Sequence, residues 1–436
     1  MKRKFSVLGI ATAAFAVTAS FAVTALPAHS AIPSITVWVD APRLPGAKLY
    51  AQIMKGKVNV DVQLHAQGDL VAKVALFNRV KKGWPDVVFG PPNDVSVLRD
   101  ADNAMQLDSL ATPAFWKDIA NGNNWCKGAD GHYYCIKNDM AQTVLWVNTK
   151  LVKQFGYTIP KTMTDFAAIG ADIAKNHPGY SLGALGDQGF YSGYLWPSQC
   201  PVNAATSSTA VRIAPKDSHC TRATALVQPM LDSGVLSPSA GWDADFLKEF
   251  GSTDKVVMTI GPTWYGDFVI RPASSWNVPA GEITAYPMPK WAGEKVAYSG
   301  EYGGGIYTVS PHSKFPKQAL AFAQFMVQDK RNIVDVTNPD GSHGAPTFPS
   351  TSSGNALWAA KTNADPYYSP SPFPAMLTQF PLIFTGEKPV SYDANGAWSV
   401  FSNELKKNKN AQAALEAYDA YTTNLAKQLG YDVKTN

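Results

Sequence analysis

Residues 134–166 read YCIKNDMAQTVLWVNTKLVKQFGYTIPKTMTDF. β-Branched and aromatic residues make TVLWVN (143–148) a strand. TKLVKQFG (149–156) is a short helix that Gly156 closes, because glycine takes the left-handed backbone at a helix end without steric cost. Thr162 or Thr164 then caps a longer helix beginning near Asp165. A strand feeding two helices, directly after a cysteine loop, marks the start of a second lobe.

Upstream, ITVWVD (35–40) is a strand, the helix-compatible LYAQIMKG (49–56) leads to a second strand VNVDVQL (58–64), and PDVVFG (85–90) supplies a third. Between the last two, DLVAKVALFNRVKKG (69–83) places Leu70, Val71, Val74, Phe77 and Val80 near one helical face. The order β-α-β-α-β predicts a parallel sheet covered by helices, with ligands collecting beyond the carboxyl ends of the strands, at Asp40 to Arg43 and Gly90 to Asp94. Downstream, residues 186–220 lack helical period and read as an irregular excursion. KVVMTIG (255–261) is a strand ending at a turn, followed by a helix with Trp264 and Tyr265 at its start. AYPMPKW (285–291) reads as an extended crossing segment and EYGGGIYTVS (301–310) as a returning strand. KFPKQALAFAQFMVQD (314–329) is a helix with Ala319, Phe322, Ala323 and Met326 inward. NPDGSHGAPTFPST (338–351) is another crossing, the remainder is helical, and KKNKN (406–410) is a solvated helix end.

At 436 residues with 45% apolar content, the chain exceeds one ordinary core, so two lobes are expected. Lys2, Arg3 and Lys4, then a long apolar run, then PAHSA make residues 1–30 a secretory signal cut after Ser30. The competing uncleaved anchor is disfavoured by Thr12, Thr18, Ser20 and Thr24 within the run. No cysteine near the cut carries a lipid, so an exported protein without a lipid anchor is expected, periplasmic or extracellular. Setting those three cations aside, the 38 basic and 34 acidic residues nearly balance, which argues against nucleic acid or an acidic membrane as partner. The four cysteines of an exported chain most simply pair locally, Cys126 with Cys135 and Cys200 with Cys220, although three pairings exist. Their spacing lacks the zinc pattern, and no metal or other cofactor is expected.

The order of these pieces resembles the extracellular solute-binding proteins of ABC importers, in the sugar-binding family that includes maltose-binding protein. Three segments carry the resemblance: the quoted 134–166, VVMTIGPTWYGDFV (256–269) and YGGGIYTVSPHSKFPKQALAFAQFMV (302–327). With the opening β-α-β-α-β they cover nearly all of the mature chain. The resemblance implies two α/β lobes, each a sheet flanked by helices, joined by crossing strands and closing on a ligand in the cleft between them. The first lobe would comprise 31–137 and 287–346, the second 138–286 and 347–436. It also implies a permease partner and a monomer. Relatives from organisms with one membrane mostly carry a lipidated cysteine that this chain lacks, and its 186–220 loop looks longer than usual.

Gly303, Gly304 and Gly305 are not a phosphate loop, since they open a strand rather than a helix and no GK[ST] follows. They either let bare backbone approach a ligand or form an ordinary turn. A sugar receptor needs flat aromatic platforms and directional carboxylates and amides. Trp264 and Tyr265 are the leading platform candidates. Trp196, like Trp38 and Trp398, divides between ligand and core. The resemblance puts ligand contacts at Asp139 and Gln142, whose alternatives are a turn or cap and plain surface. Asp40, Arg43, Asn93 and Asp94 follow strand ends and divide between rim contact and turn chemistry. Glu301 and Tyr302 precede the glycines and divide between reaching the same space and a solvent-facing strand start.

No catalytic residue is assigned. A glycoside-cleaving enzyme needs two carboxylates at about 5 Å or about 7–9 Å, and no acid or nucleophile motif surrounds any glutamate. The fold also admits a metal complex, polyamine or peptide, and the two tyrosines of EYGGGIY touch on ferric binders.

Overall fold

In a computed structural model, the described residues are 32–65, 70–92, 97–99, 102–119, 126–128, 130–207, 209–337, 344–386, 390 and 395–435. The 1–30 leader, Asn93, Asp94 and the stretch 338–343 fall outside them. The strands in chain order are β1 Ser34–Val39, β2 Asn59–Leu64, β3 Val87–Gly90, β4 Ile136–Lys137, β5 Thr143–Asn148, β6 Ala204–Ala205, β7 Ala210–Arg212, β8 Met258–Pro262, β9 Ile283–Tyr286, β10 Ile306–Val309 and β11 Asp432–Lys434.

The first sheet has the order β2-β1-β3-β10-β4. β1 pairs parallel with β2 and β3, as the β-α-β-α-β pattern requires, while β10 runs antiparallel to β3 and β4. All four residues of β3 are buried, which fits its central place. Helix Pro316–Gln328 packs Ala319, Phe322, Ala323 and Met326 into the same core as Val37, Phe89 and Tyr307. Helix Leu70–Val80 buries Leu70 and Val74 and half-buries Phe77, but Val80 is exposed because the helix ends there and turns away. The side chain of Val71 lies outside the described residues.

β5 is the centre of a second sheet, β8-β5-β9, antiparallel to both neighbours. All six residues of TVLWVN are buried. Leu145 and Val147 enter one hydrophobic cluster, with Phe166, Met230 and Phe401, while Val144 and Trp146 enter another, with Phe246, Trp276 and Trp358. A strand covered on both faces cannot alternate polar with apolar, so its apolar run is continuous. Asn148 caps helix Thr149–Phe155, and Gly156 ends it at φ +74°. The next helix starts at Met163, not near Asp165: Thr162 is the cap, and Asp165 returns a bond to the Thr162 N–H.

Two sequence expectations change. Residues 186–220 are not structureless: they contain a short helix Gln188–Phe190, a π-turn with Trp196 N–H donating to the Tyr191 carbonyl, and β6 and β7, which with β11 form a third sheet. AYPMPKW does not cross between the sheets. β9 lines β5, and Met288 and Trp291 join its core. The crossing is made by Gly300–Gly305, beside 137–143 and 346–351. Asn138 N–H donates to Gly305 (2.7 Å), Tyr302 to Ala141 (3.0 Å), Thr143 to Gly300 (3.0 Å) and Met140 to Phe348 (2.9 Å).

Both local disulfides form, Cys126–Cys135 and Cys200–Cys220. The second ties the excursion to helix Ser218–Asp232. Opening a loop of that length is expected to cost about 3 kcal/mol. Urea unfolding of Cys200→Ser/Cys220→Ser should show this; an unchanged midpoint would remove the staple role.

Candidate functional site

β8 ends at Pro262, and the chain is pinned there: Thr263 donates its N–H to the Gln142 carbonyl (3.1 Å) and its hydroxyl to the Met140 carbonyl (2.9 Å). This fixes the half-buried Trp264. Its indole N–H donates to the Tyr302 carbonyl at 2.6 Å, so the ring is held by its edge. The rings form a series: Trp242 to Tyr302 at 6.4 Å, Tyr302 to Trp264 at 5.4 Å, and Trp264 to Tyr265 at 4.9 Å between centroids. Trp242 is 42% exposed, a large apolar surface to leave in water. The helix expected after Trp264 is present as a single π-helical turn, Gly266–Ile270, with the Arg271 N–H donating to the Gly266 carbonyl at 3.0 Å. Such turns recur at functional sites.

Asp187 joins this series. Its carboxylate accepts from the Gly189 N–H at 2.5 Å and keeps contact with solvent. Burial raises its pKa to about 7; the Gly189 bond opposes this and Asp243 adds to it. Burial, and then the Asp187 charge, hold the Tyr265 and Tyr302 phenols well above their ordinary range.

Beneath the glycines lies a charged layer. Lys137 and Glu301 form an ion pair at 2.7 Å, with side chains 0% and 4% exposed. Arg43 pairs with Asp40 (3.2 Å) and Asp139 (3.4 Å) and lies over the Phe89 ring at 4.2 Å. Asp139 also accepts from Asn138 Nδ2 at 2.7 Å, yet desolvation outweighs these partners and raises its pKa. Gly303 (φ +90°) and Gly304 (φ +67°) occupy the left-handed region, and a Cβ on Gly303 would meet Trp264 Nε1 at 3.3 Å.

The structure thus brings Trp264, Tyr265, Tyr302 and Gly303 together, and sets Asp40, Arg43, Asp139, Glu301 and Gly304 in the layer behind them. Tyr265 is buried under Trp264 and is no open platform. Gly305 faces core: a Cβ there would fall 2.1 Å from the Phe89 ring. Gln142 is not at the surface; it is fully buried and donates to the Met376 carbonyl at 2.9 Å. Trp196 lies elsewhere, 5% exposed, donating to the Phe384 carbonyl. Trp38 stacks on His65, and Trp398 packs on Tyr418. Sequence reasoning missed Trp242, Asp187 and Lys137. The GDQG setting of Asp187 signals a cap, but nothing local reveals Lys137 as buried.

Among the described residues, no group of three His, Cys, Asp or Glu side chains is placed to hold a metal ion. A surface depression of about 540 Å³ shares no residue with the ring series, and its rim charges Arg212 and Asp217 are paired at 2.7 Å. The ring series has the stronger chemistry.

Two sheet-centred lobes linked by hydrogen-bonded crossings define a periplasmic-binding-protein fold. The chain belongs to the bacterial extracellular solute-binding protein family, whose pattern it matches over residues 48–365. That is a binding family, not an enzyme family. Comparison with curated protein sequences returns no match. Among solved structures, the galacto-N-biose-/lacto-N-biose I-binding protein of an ABC transporter from Bifidobacterium longum, in complex with lacto-N-biose, superposes with TM-score 0.72 at 15% identity, covering 92% of this chain and 99% of that one. The ABC transporter associated binding protein from B. animalis subsp. lactis Bl-04, in complex with β-1,6-galactobiose, gives 0.68 at 18% identity, covering 92% and 100%. The maltose/maltodextrin-binding domain MalE from Bdellovibrio bacteriovorus, bound to maltotriose, gives 0.65 at 12%, covering 90% and 100%. At such identities the likeness shows the fold. No helix among the described residues is long and apolar enough to cross a membrane.

Proposed function

We propose that this chain captures a saccharide in the interlobe cleft, at the ring series Trp242–Tyr302–Trp264, and delivers it to an ABC importer permease without altering it. The carrying observation is Trp264: its N–H is spent on the Tyr302 carbonyl, so the ring is set rigidly beside two left-handed glycines. Rigid rings bind the C–H face of a sugar at little entropic cost. The saccharides bound by the structural neighbours, β-1,6-galactobiose, lacto-N-biose and maltotriose, support the same ligand class. The resemblance gave 287–300 to the first lobe, but Met288 and Trp291 pack in the cluster of Leu145 and Val147, so we assign 31–137 and 301–346 to the first lobe and 138–300 and 347–436 to the second. The leader supports export to the periplasm or the medium, and the near-neutral charge argues against a nucleic acid partner.

Isothermal titration against mono-, di- and oligosaccharides is expected to reveal one site of micromolar or tighter affinity. Trp264→Ala should weaken it by about 2 kcal/mol, roughly 30-fold, through lost stacking and burial. Silence across the panel, or an unchanged affinity in the variant, would end this reading.

A further inference from the structure

The saccharide reading leaves one group unbalanced. Among the described residues, the Asp187 carboxylate has a single hydrogen-bond donor, the Gly189 N–H, and no lysine or arginine lies within ion-pair distance. The charge that acts on it is another carboxylate, Asp243, whose own cation is Lys406 at 2.7 Å. The phenols facing it, Tyr265 and Tyr302, offer no positive charge. In the layer behind, Arg43 and Lys137 are already opposed by Asp40, Asp139 and Glu301. A ligand that closes over Asp187 strips its remaining water, and hydroxyl donors alone leave the charge uncompensated.

The rings point the same way. Among the described residues no cation lies over the electron-rich rings of Trp242, Tyr302 or Trp264, although Phe89, Trp291, Tyr367 and other rings carry one. Rings around a carboxylate form a receptor for an ammonium group.

We propose that the captured solute bears a positively charged nitrogen, received by the Asp187 carboxylate and the faces of Trp242, Tyr302 and Trp264. This deepens the binding reading above and rests on the same site. A neutral saccharide offers the rings its C–H face and Asp187 its hydroxyl donors; a cationic one also balances the Asp187 charge. Burial raises the Asp187 pKa to about 7, so near neutral pH a proton and the ammonium compete for the same oxygens. Asp243, paired with Lys406, and the two phenols are the other titratable groups facing that carboxylate.

The test uses the whole chain and two probes of one shape, choline and its uncharged isostere 3,3-dimethylbutan-1-ol, followed by tryptophan fluorescence. Choline carries its charge at every pH, so the pH profile reports the protein alone. It should bind about tenfold or more tighter than the alcohol. Its affinity should rise between pH 6 and 8 as Asp187 gives up its proton. Asp187→Asn keeps the acceptor for Gly189 and, with an unchanged melting temperature, should erase the preference. Equal binding of the two probes, no binding of either, or a preference that survives Asp187→Asn overturns the proposal. Neutral oligosaccharides that bind in a Trp264-dependent manner and ignore Asp187→Asn would sink the ammonium reading alone. Indifference of every probe to Trp264→Ala would sink the site itself.

Discussion

Replacing Lys137 by methionine is expected to lower the unfolding free energy by about 3–5 kcal/mol, the usual loss when one member of a buried ion pair is removed. The Lys137 side chain is 0% exposed and its Nζ lies 2.7 Å from Glu301 Oε1, the same oxygen that accepts the Ala141 N–H at 3.3 Å. Methionine fills the volume but takes this cation away from a buried carboxylate. The pair joins β4 of the first sheet to the crossing at Glu301, so the loss falls where the lobes are connected. Lys137→Met/Glu301→Gln removes both charges and keeps an acceptor for Ala141, and it should regain most of the loss. Urea unfolding of the parent and both variants checks this. A single variant within about 1 kcal/mol of the parent would contradict the assigned role, as would a double variant no better than the single.

The fold was legible wherever burial is two-sided or periodic. TVLWVN shows its central place by four consecutive apolar residues, Val144 to Val147, and helix Pro316–Gln328 shows its inner face by spacing alone. The site was legible only in part. Trp264 stands at a strand end where a ligand platform is expected, and the glycine run announced bare backbone. Asp40, Arg43, Asp139 and Glu301 were recognised as polar residues near strand ends, but whether a carboxylate meets a ligand or an arginine depends on partners distant in sequence. Arg43 and Asp139 are 96 residues apart. Asp187 and Trp242 lie in loops held by long-range bonds, Gly186 N–H to the Ser239 carbonyl and Trp276 Nε1 to the Gly241 carbonyl, which no local pattern encodes. AYPMPKW misled because extended, proline-rich sequence is the same for a crossing and for an edge strand.

Gly304→Ala is expected to be the second most damaging single change. Its φ of +67° excludes an ordinary L-residue at a cost of about 1–3 kcal/mol. A Cβ there would sit 2.6 Å from the Asp139 carbonyl oxygen and 3.1 Å from Glu301 Oε1, and overpacking adds about 1–3 kcal/mol more. The carbonyl is main chain and cannot swing aside, so the crossings 137–143 and 299–306 must separate. Gly303→Ala differs in kind. Its φ of +90° is also strained, but the contact is Trp264 Nε1 at 3.3 Å, so the displacement falls on the bond between Trp264 and Tyr302. Gly304→Ala should therefore lower the urea midpoint far more than Gly303→Ala, whereas Gly303→Ala should lose ligand affinity out of proportion to its stability. Measuring both quantities on both variants separates a backbone required by the lobe connection from one required by the binding surface. If the two alanine variants fall on one line of affinity against stability, the glycines serve a single purpose and the division between ring series and charged layer is wrong.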